Sequence, residues 1–236
     1  MGWTRIKQWG NDLLRIIYPE VCEICGTSLV TGEKILCLNC DLNMPRTKVH
    51  NDNFNIIHQR LAGSTPINKA ASYFYYYKES DYAALIHQAN YNNRPYIAYH
   101  LAQKFAKELT GSNFFDGIDI ILPVPLHFLK LIKRGYNQSV AIAKGISAIT
   151  AIPVGDNLYA RQQHSTQTRK NSYERWVNAQ GIYAVKNPEE LANKHVLIID
   201  DVITTGATLL ACCNAIHQAE PTATISVLSL SVTHLQ

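Results

Sequence analysis

No stretch of the chain approaches the roughly 18 consecutive apolar residues that a membrane-spanning helix needs. Charged and polar side chains also interrupt the first residues, MGWTRIKQWGNDLL, which therefore lack the apolar core of a secretory signal. We expect a cytoplasmic protein, and in that reducing compartment six cysteines are not expected to form a disulfide framework. These absences exclude membrane proteins and small secreted disulfide scaffolds.

A strong charge imbalance is missing as well. The 22 Lys and Arg residues exceed the 18 Asp and Glu residues by only four, which is too mild to establish a nucleic-acid partner. Internal repeats and low-complexity tracts are also absent from the 236 residues. With 47% hydrophobic and 17% charged residues, the composition is that of a globular protein with one large core, or with one domain and a small module.

Strand and helix patterns alternate along most of the chain. Apolar residues at helical spacing over residues 3–17 predict an amphipathic helix that docks on the body of the protein and ends at Pro19, with binding to a membrane surface as the alternative. The further predicted elements are a strand at 70–77, helical segments from Tyr82 to Leu109 with a break near Asn90–Pro95, a strand in GIDIILPVP, a helix from about Tyr136 to Ile149, a strand, loop and helix in KHVLIIDDVITTGATLLACCNAI, and a closing strand in TISVLSLSV. This alternation, with β-branched apolar strands, predicts an α/β fold with a parallel sheet.

Four cysteines near the N-terminus are spaced in two pairs. Cys22 and Cys25 form one C-x-x-C turn, Cys37 and Cys40 form another, and eleven residues separate the turns. Each turn offers two thiolates, and four thiolates suit a tetrahedral zinc ion. Because the protein would fill all four positions, the predicted zinc site is structural; buried core cysteines or a redox pair are the alternatives. The two remaining cysteines are adjacent in a predicted helix and are expected to pack in the core.

The most informative segment runs from Val196 to Thr208. Four apolar residues predict a buried strand that ends in two carboxylates, Asp200 and Asp201, and a loop of small hydroxyl residues with one glycine leads into a helix. Ligands of open α/β sheets bind at the carboxyl ends of strands, and a helix N-terminus with threonine hydroxyls can hold a phosphate. The carboxylates can accept hydrogen bonds from sugar hydroxyls or hold a magnesium shell. The segment is not a Walker loop.

This segment, IIDDVITTGAT, resembles the motif with which type I phosphoribosyltransferases bind phosphoribosyl pyrophosphate (PRPP). There the acidic pair contacts the ribose hydroxyls and the loop holds the 5'-phosphate. The chain as a whole resembles the ComF family, including ComFC and GntX-type proteins, over nearly its whole length from Val21 onward. The further segments that carry this resemblance are the four-cysteine segment, LPVPLHFLKLIKRGYNQS and the basic stretch before the acidic pair. The resemblance implies a type I phosphoribosyltransferase-like parallel sheet flanked by helices, a small N-terminal zinc-ribbon module, and a link to DNA uptake in natural transformation.

The resemblance also implies roles for individual residues. The implied PRPP-binding residues are Val124, Pro125, Leu126, Lys133, Asp200, Asp201, Val202, Thr204, Thr205, Gly206, Ala207 and Thr208. The implied catalytic residues are Asp200, Asp201 and Arg134. The polar stretch 161–180 is long for an ordinary connection and is expected to form a lid that excludes water, or else a disordered excursion. Its implied lid residues are Arg161, Gln167, Arg169, Arg175 and Asn178.

The chain departs from the family at one position. Many relatives carry a Lys-Tyr pair before the second helix, where this chain has Asn90-Tyr91. Arg94 is the candidate that would replace the missing lysine. For the domain organisation we expect an amphipathic helix over residues 1–20, a zinc-ribbon and hood region over 21–110, and the phosphoribosyltransferase-like domain over 111–236.

Two functions are compatible with this pattern. The first is transfer of a phosphoribosyl group from PRPP to an unknown acceptor with release of pyrophosphate, using structural Zn²⁺ and PRPP-bound Mg²⁺. The second is a non-catalytic competence factor that binds single-stranded DNA, works with a DNA-uptake helicase or other competence proteins, and uses the PRPP fold as a sensor or docking surface. Residues 128–180 hold eight Lys and Arg against two Asp and Glu, a net +6 that suits the phosphates of either ligand. A zinc-stabilised fold with a dead site is a third possibility.

Overall fold

The computed structural model of the chain describes residues 19–63, 65–91, 93–126, 131–132, 134–161 and 181–234. Its contacts divide the chain into two compact units, Met1–Met44 and Pro45–Gln236, which we describe one at a time. The predicted amphipathic helix over residues 3–17 lies outside the described residues. Within the described part, no helix has the length and apolar character needed to cross a bilayer.

The first unit is built around two cysteine-bearing turns. Val21 and Ser28 form an antiparallel bridge, and the turn between them is closed by the amide of Gly26, which donates to the carbonyl of Cys22 at 2.9 Å. The short helix α1 (Leu38–Leu42) begins directly after Cys37. Both C-x-x-C segments are therefore held by local backbone hydrogen bonds.

The second unit alternates strands and helices, as the sequence predicts. Its helices are α2 (Ile56–Arg60), α3 (Asp81–Tyr91), α4 (Pro95–Leu109), α5 (Gln138–Thr150) and α6 (Ala207–Ala219), with 3-10 turns at Val49–Asn51 and Pro188–Leu191. Its strands are β1 (Ala70–Tyr76), β2 (Ile120–Pro123), β3 (Leu158–Ala160), β4 (Tyr183–Val185), β5 (His195–Ile203) and β6 (Thr224–Thr233). The predicted break near Asn90–Pro95 is the junction of α3 and α4, where Pro95 occupies the first turn of α4 and needs no hydrogen-bond donor.

Four strands form a parallel sheet in the order β1-β6-β5-β2, and β3 and β4 form a separate antiparallel pair. Helix α5 packs against β2 and β5, and the apolar side of α6 joins the core through Leu209 and Cys212. Residues 196–199 of β5 are fully buried, as expected for a central strand covered on both faces. The α/β fold with a helix-flanked parallel sheet is confirmed.

Contacts divide the chain between Met44 and Pro45, and the domain boundary between residues 110 and 111 stays a prediction. The physical reason for this division is long-range pairing. Strand β1 pairs in register with β6 along its length, for example Ser72 opposite Ser229, and α4 packs on α5. Residues 70–109 thus share one sheet and one core with the C-terminal elements.

Candidate functional site

The carboxyl end of the parallel sheet brings the predicted PRPP segments together. Asp200 and Asp201 lie near the end of β5, and the loop Thr204–Gly206 follows that strand directly. The loop after β2 lies beside them, because the amide of Val124 donates to the carbonyl of Ile199 at 2.9 Å. This is the edge of an open α/β sheet at which ligands generally bind.

Asp200 is partly buried and lies among hydrogen-bond donors. The hydroxyl of Ser139, at the start of α5, donates to Asp200 Oδ1 at 3.3 Å, and the amide of Asp201 donates to the same oxygen at 3.0 Å. Burial, followed by repulsion from the neighbouring Asp201 carboxylate, raises the pKa of Asp200 well above its usual range. The ionised pair therefore gains from any ligand that brings a cation or hydroxyl donors.

Asp201 is held by an amide from a different helix. Asn90 Nδ2, at the end of α3, donates to Asp201 Oδ2 at 2.7 Å, and the amide of Val202 donates to Asp201 Oδ1 at 2.8 Å. Asn90 is only 8% exposed, and its own Oδ1 is buried with no hydrogen-bond partner among the described residues. Asn90 thus fixes the direction of one carboxylate while contributing no charge.

The same network reaches Arg134. Gln138 Nε2 donates to the carbonyl of Asn90 at 3.2 Å, and Arg134 Nη1 donates to Gln138 Oε1 at 3.1 Å. Gln138 is 1% exposed, so its contact with Asn90 is buried, and its contact with the partly exposed Arg134 is partly buried. The structure therefore links the implied catalytic residue Arg134 to the acidic pair. Arg94, the candidate replacement for a lysine, instead donates to Gln88 Oε1 at 2.8 Å.

The loop after β5 presents its hydroxyl groups to solvent. Thr204, Thr205 and Thr208 are exposed, and the 13-residue helix α6 begins at Ala207. Gly206 has a φ of +80°, and a Cβ there would lie 2.7 Å from Leu61 Cδ2. Both the backbone conformation and the close approach of Leu61 require glycine at this position. An exposed hydroxyl loop at a helix N-terminus is suited to an anion such as phosphate.

Arg60, which no sequence motif singles out, holds the start of this loop. Its Nη1 donates to the carbonyls of Ile203 and Thr204 at 3.2 and 2.9 Å, and to Thr233 Oγ1 at 3.0 Å, while Nη2 donates to the carbonyl of Thr233. One guanidinium thereby joins the carboxyl ends of β5 and β6. No local pattern around Arg60 marks this role, since its partners are more than 140 residues away in sequence.

The remaining implied site residues are partly described. Asn137 caps α5 by accepting from the amide of Ser139 at 3.0 Å, and its Nδ2 donates to the carbonyl of Val124 at 2.9 Å. This contact attaches the Val124–Leu126 loop to the start of α5. The amide of Arg161 donates to the carbonyl of Ile182, between the ends of β3 and β4. The other implied site residues lie outside the described part of the chain: Lys133, Gln167, Arg169, Arg175 and Asn178.

The cysteines of the first unit form a cluster suited to zinc. The four Sγ atoms of Cys22, Cys25, Cys37 and Cys40 lie within 4.8 Å of one another, and those of Cys25 and Cys37 are 3.6 Å apart. Hydrogen bonding with Thr27 lowers the pKa of Cys25 to about 6, which favours its thiolate, whereas burial raises the pKa of Cys40. Such a four-thiolate cluster fits a closed structural zinc site.

The other two cysteines behave as expected. Cys212 and Cys213 are fully buried in α6, and burial raises the pKa of Cys213 to about 12. Their placement in the core is confirmed.

A parallel sheet with an acidic pair and an exposed hydroxyl loop at its carboxyl end defines a domain of the phosphoribosyltransferase type. The chain belongs to the phosphoribosyl transferase domain family, whose model matches residues 96–234, more than half of the chain.

Similar curated proteins extend this assignment. The chain is 33% identical to "Competence protein F" of Haemophilus influenzae over 93 residues, a match that covers 39% of the chain and 41% of that protein. It is 26% identical to "DNA utilization protein YhgH" of Escherichia coli K12 over 197 residues, which is 80% of each protein. With the four-cysteine cluster, these matches confirm the expected ComF-type assignment.

Among solved structures, the chain matches the glutamine PRPP amidotransferase of B. subtilis in complex with ADP and GMP. It is 18% identical, with a TM-score of 0.39, and the match covers 56% of this chain and 26% of the amidotransferase.

Proposed function

We propose that the second unit binds PRPP with Mg²⁺ at the carboxyl end of its sheet and transfers the phosphoribosyl group to an acceptor. The observation that carries this proposal is the partly buried acidic pair, in which burial raises the pKa of Asp200, beside the exposed loop Thr204–Thr208. The loop would receive the 5'-phosphate and the acidic pair the ribose hydroxyls. The Val124–Leu126 loop, with Lys133 and Arg134, would receive the pyrophosphate.

The chemistry asked of these residues is mainly electrostatic. An acceptor nitrogen attacks C1' while the bond from C1' to pyrophosphate breaks, and the electron pair leaves on the pyrophosphate. Arg134 and Lys133 stabilise the charge that develops there. Magnesium, held through Asp200 and Asp201, would supply further charge neutralisation when bound. The stretch 161–180, with Arg161, Gln167, Arg169, Arg175 and Asn178, is proposed to close over the site and exclude water.

The repulsion between the two carboxylates supports this assignment. Two like charges side by side in a partly buried position repel each other, so the folded chain gains from a ligand carrying cations or hydroxyl donors. Asn90 and Ser139 orient the two carboxylates without neutralising them. An arrangement of this kind favours a Mg²⁺-bound polyol phosphate over a simple anion.

For the cellular role, we propose cytoplasmic DNA uptake or utilization, in which a DNA-uptake helicase or other competence proteins are partners. The names of the competence and DNA utilization relatives support this role. Structural zinc in the first unit is part of the proposal, supported by the four-thiolate cluster. A second candidate function, binding of single-stranded DNA, has support in an exposed aromatic surface described below.

Calorimetric titration of the zinc-loaded protein with PRPP and Mg²⁺ tests the first function. We expect saturable binding that is lost in the double variant Asp200→Asn/Asp201→Asn. Asp156→Asn is the matched control, because Asp156 is an exposed carboxylate paired with Lys186 and should leave binding unchanged. Absence of binding by folded wild-type protein would overturn the proposal. If binding is seen, release of pyrophosphate in the presence of candidate acceptors tests the transfer step.

A further inference from the structure

Three aromatic rings cluster where β1 and β6 end. Tyr75 lies in β1 and Tyr77 directly follows its last residue, so the alternation of an extended chain places both rings on the same side. His234 follows the last residue of β6. The His234 ring stacks on Tyr77 with centroids 6.0 Å apart and an interplanar angle of 24°, and it meets the edge of Tyr75 at 5.4 Å. We call these three rings the aromatic platform.

The aromatic platform is anchored at one end and open at the other. Tyr75 packs against the hydrophobic core that also contains Leu61 and Leu209. Tyr77 is 44% exposed, and His234 is exposed as well. The preceding Tyr73 is buried, so only the end of the tyrosine run leaves the core. A core role explains the first rings of this run but not Tyr77 and His234.

The aromatic platform lies beside the hydroxyl loop. Arg60 binds the carbonyl of Thr204, the first residue of the loop, and both oxygens of Thr233, the residue before His234. One guanidinium therefore spans the distance between the loop and the platform. The exposed Lys78 follows Tyr77 directly. Ring faces, a cation and a hydroxyl loop thus occur together at one edge of the sheet.

We propose that the aromatic platform binds the bases of single-stranded nucleic acid by stacking on Tyr77 and His234. Every base has a flat π-face, so stacking on aromatic side chains is tolerant of sequence. In a duplex those faces are covered by neighbouring bases, whereas in a single strand they are available. Lys78 and the loop hydroxyls supply contacts for the adjoining phosphates. This inference rests on the second proposed function, single-strand binding, and does not depend on PRPP transfer.

Fluorescence anisotropy with a labelled 20-nucleotide oligo(dT) tests this inference on the full zinc-loaded chain. We expect the double variant Tyr77→Ala/His234→Ala to weaken binding about tenfold or more, the usual loss for a stacked base. Tyr77→Phe keeps the ring and should bind within about twofold of wild type. The dependence of affinity on salt should stay the same in the double variant, because stacking rather than phosphate contacts has been removed.

Several controls separate this site from others. Tyr159→Ala removes a tyrosine that is 39% exposed on β3, outside the platform, and should not change binding. Asp200→Asn/Asp201→Asn should lose PRPP but keep the oligonucleotide, whereas the platform variant should keep PRPP. Circular dichroism confirms that each variant is folded.

Four results would overturn the inference. If wild-type protein does not bind oligo(dT) at low salt, single-strand binding and the platform both fail, while PRPP binding is judged by its own titration. If the double variant binds as tightly as wild type, the strand is held elsewhere. Displacement of the oligonucleotide by equimolar dTMP, or equal affinity for a duplex, would show that the surface recognises a mononucleotide or phosphates alone.

Discussion

Adding one methyl group at Gly206 should destabilise the second unit for two separable reasons. The φ of +80° costs a residue with a Cβ about 1 kcal/mol or more. The new Cβ would also lie 2.7 Å from Leu61 Cδ2, and since Leu61 is only 1% exposed it has little room to move away. Such overpacking adds about 1–2 kcal/mol. We therefore expect Gly206→Ala to lower the free energy of unfolding by about 2–3 kcal/mol, or the melting temperature by roughly 4–12 °C.

Urea denaturation followed by circular dichroism measures this effect, and the chain offers a matched control. Gly135 has a φ of +79°, but a Cβ added there would meet no atom of the described residues within 4 Å, so Gly135→Ala isolates the backbone cost of about 1 kcal/mol. In a double-mutant cycle, Leu61→Ala should remove the clash, making the double variant about 1–2 kcal/mol more stable than additivity predicts. Equal losses at the two glycines, or strict additivity with Leu61→Ala, would refute the close approach.

Three further changes have expected outcomes. Asp200→Asn should raise the free energy of unfolding at about pH 8 and have little effect near pH 4. Because the pKa of Asp200 is raised in the folded protein, wild-type stability falls as the pH rises from the ordinary carboxyl pKa through the folded-state pKa. Urea denaturation at both pH values measures this, and a constant difference between variant and wild type would contradict it. Asn90→Leu removes the hydrogen bond to Asp201 and should weaken PRPP·Mg²⁺ binding about tenfold, the usual cost of losing a donor to a charged group. Calorimetry measures this affinity, and an unchanged value would contradict the prediction. Chelation of zinc, or Cys37→Ser, should disorder the first unit and leave the thermal unfolding of the second unit unchanged. Hydrogen exchange measures the order of the first unit, and amide protection retained there would speak against a structural metal.

The sequence could predict those parts of the site whose residues are close together along the chain. The strand, acidic pair and hydroxyl loop of β5 and α6 are contiguous, so hydrophobic burial and motif spacing were sufficient. The four-cysteine cluster is local for the same reason, since its two turns fall within nineteen residues from Cys22 to Cys40. In both cases the chemistry and the geometry come from one short segment.

The parts that sequence could not predict depend on packing between distant segments. Arg60 and Leu61 reach the hydroxyl loop from a short helix more than 140 residues earlier. Asn90 stood out only as a departure from the family, and its partner Asp201 became clear when α3 and β5 were seen to converge. The pairing of β1 with β6, two strands of the second unit, is likewise not encoded in the periodicity of either strand.

The energetics of the acidic pair connect stability to ligand binding. In the free protein, burial and mutual repulsion make the ionised form of Asp200 unfavourable, and Asn90 and Ser139 offset this only with neutral donors. A ligand that brings magnesium and hydroxyl donors removes that penalty in the native state alone, so its binding must stabilise folding. Thermal unfolding should therefore shift upward with PRPP and Mg²⁺ together by more than the sum of the shifts with each alone. Additive shifts would mean that the metal and the sugar phosphate do not meet at the acidic pair.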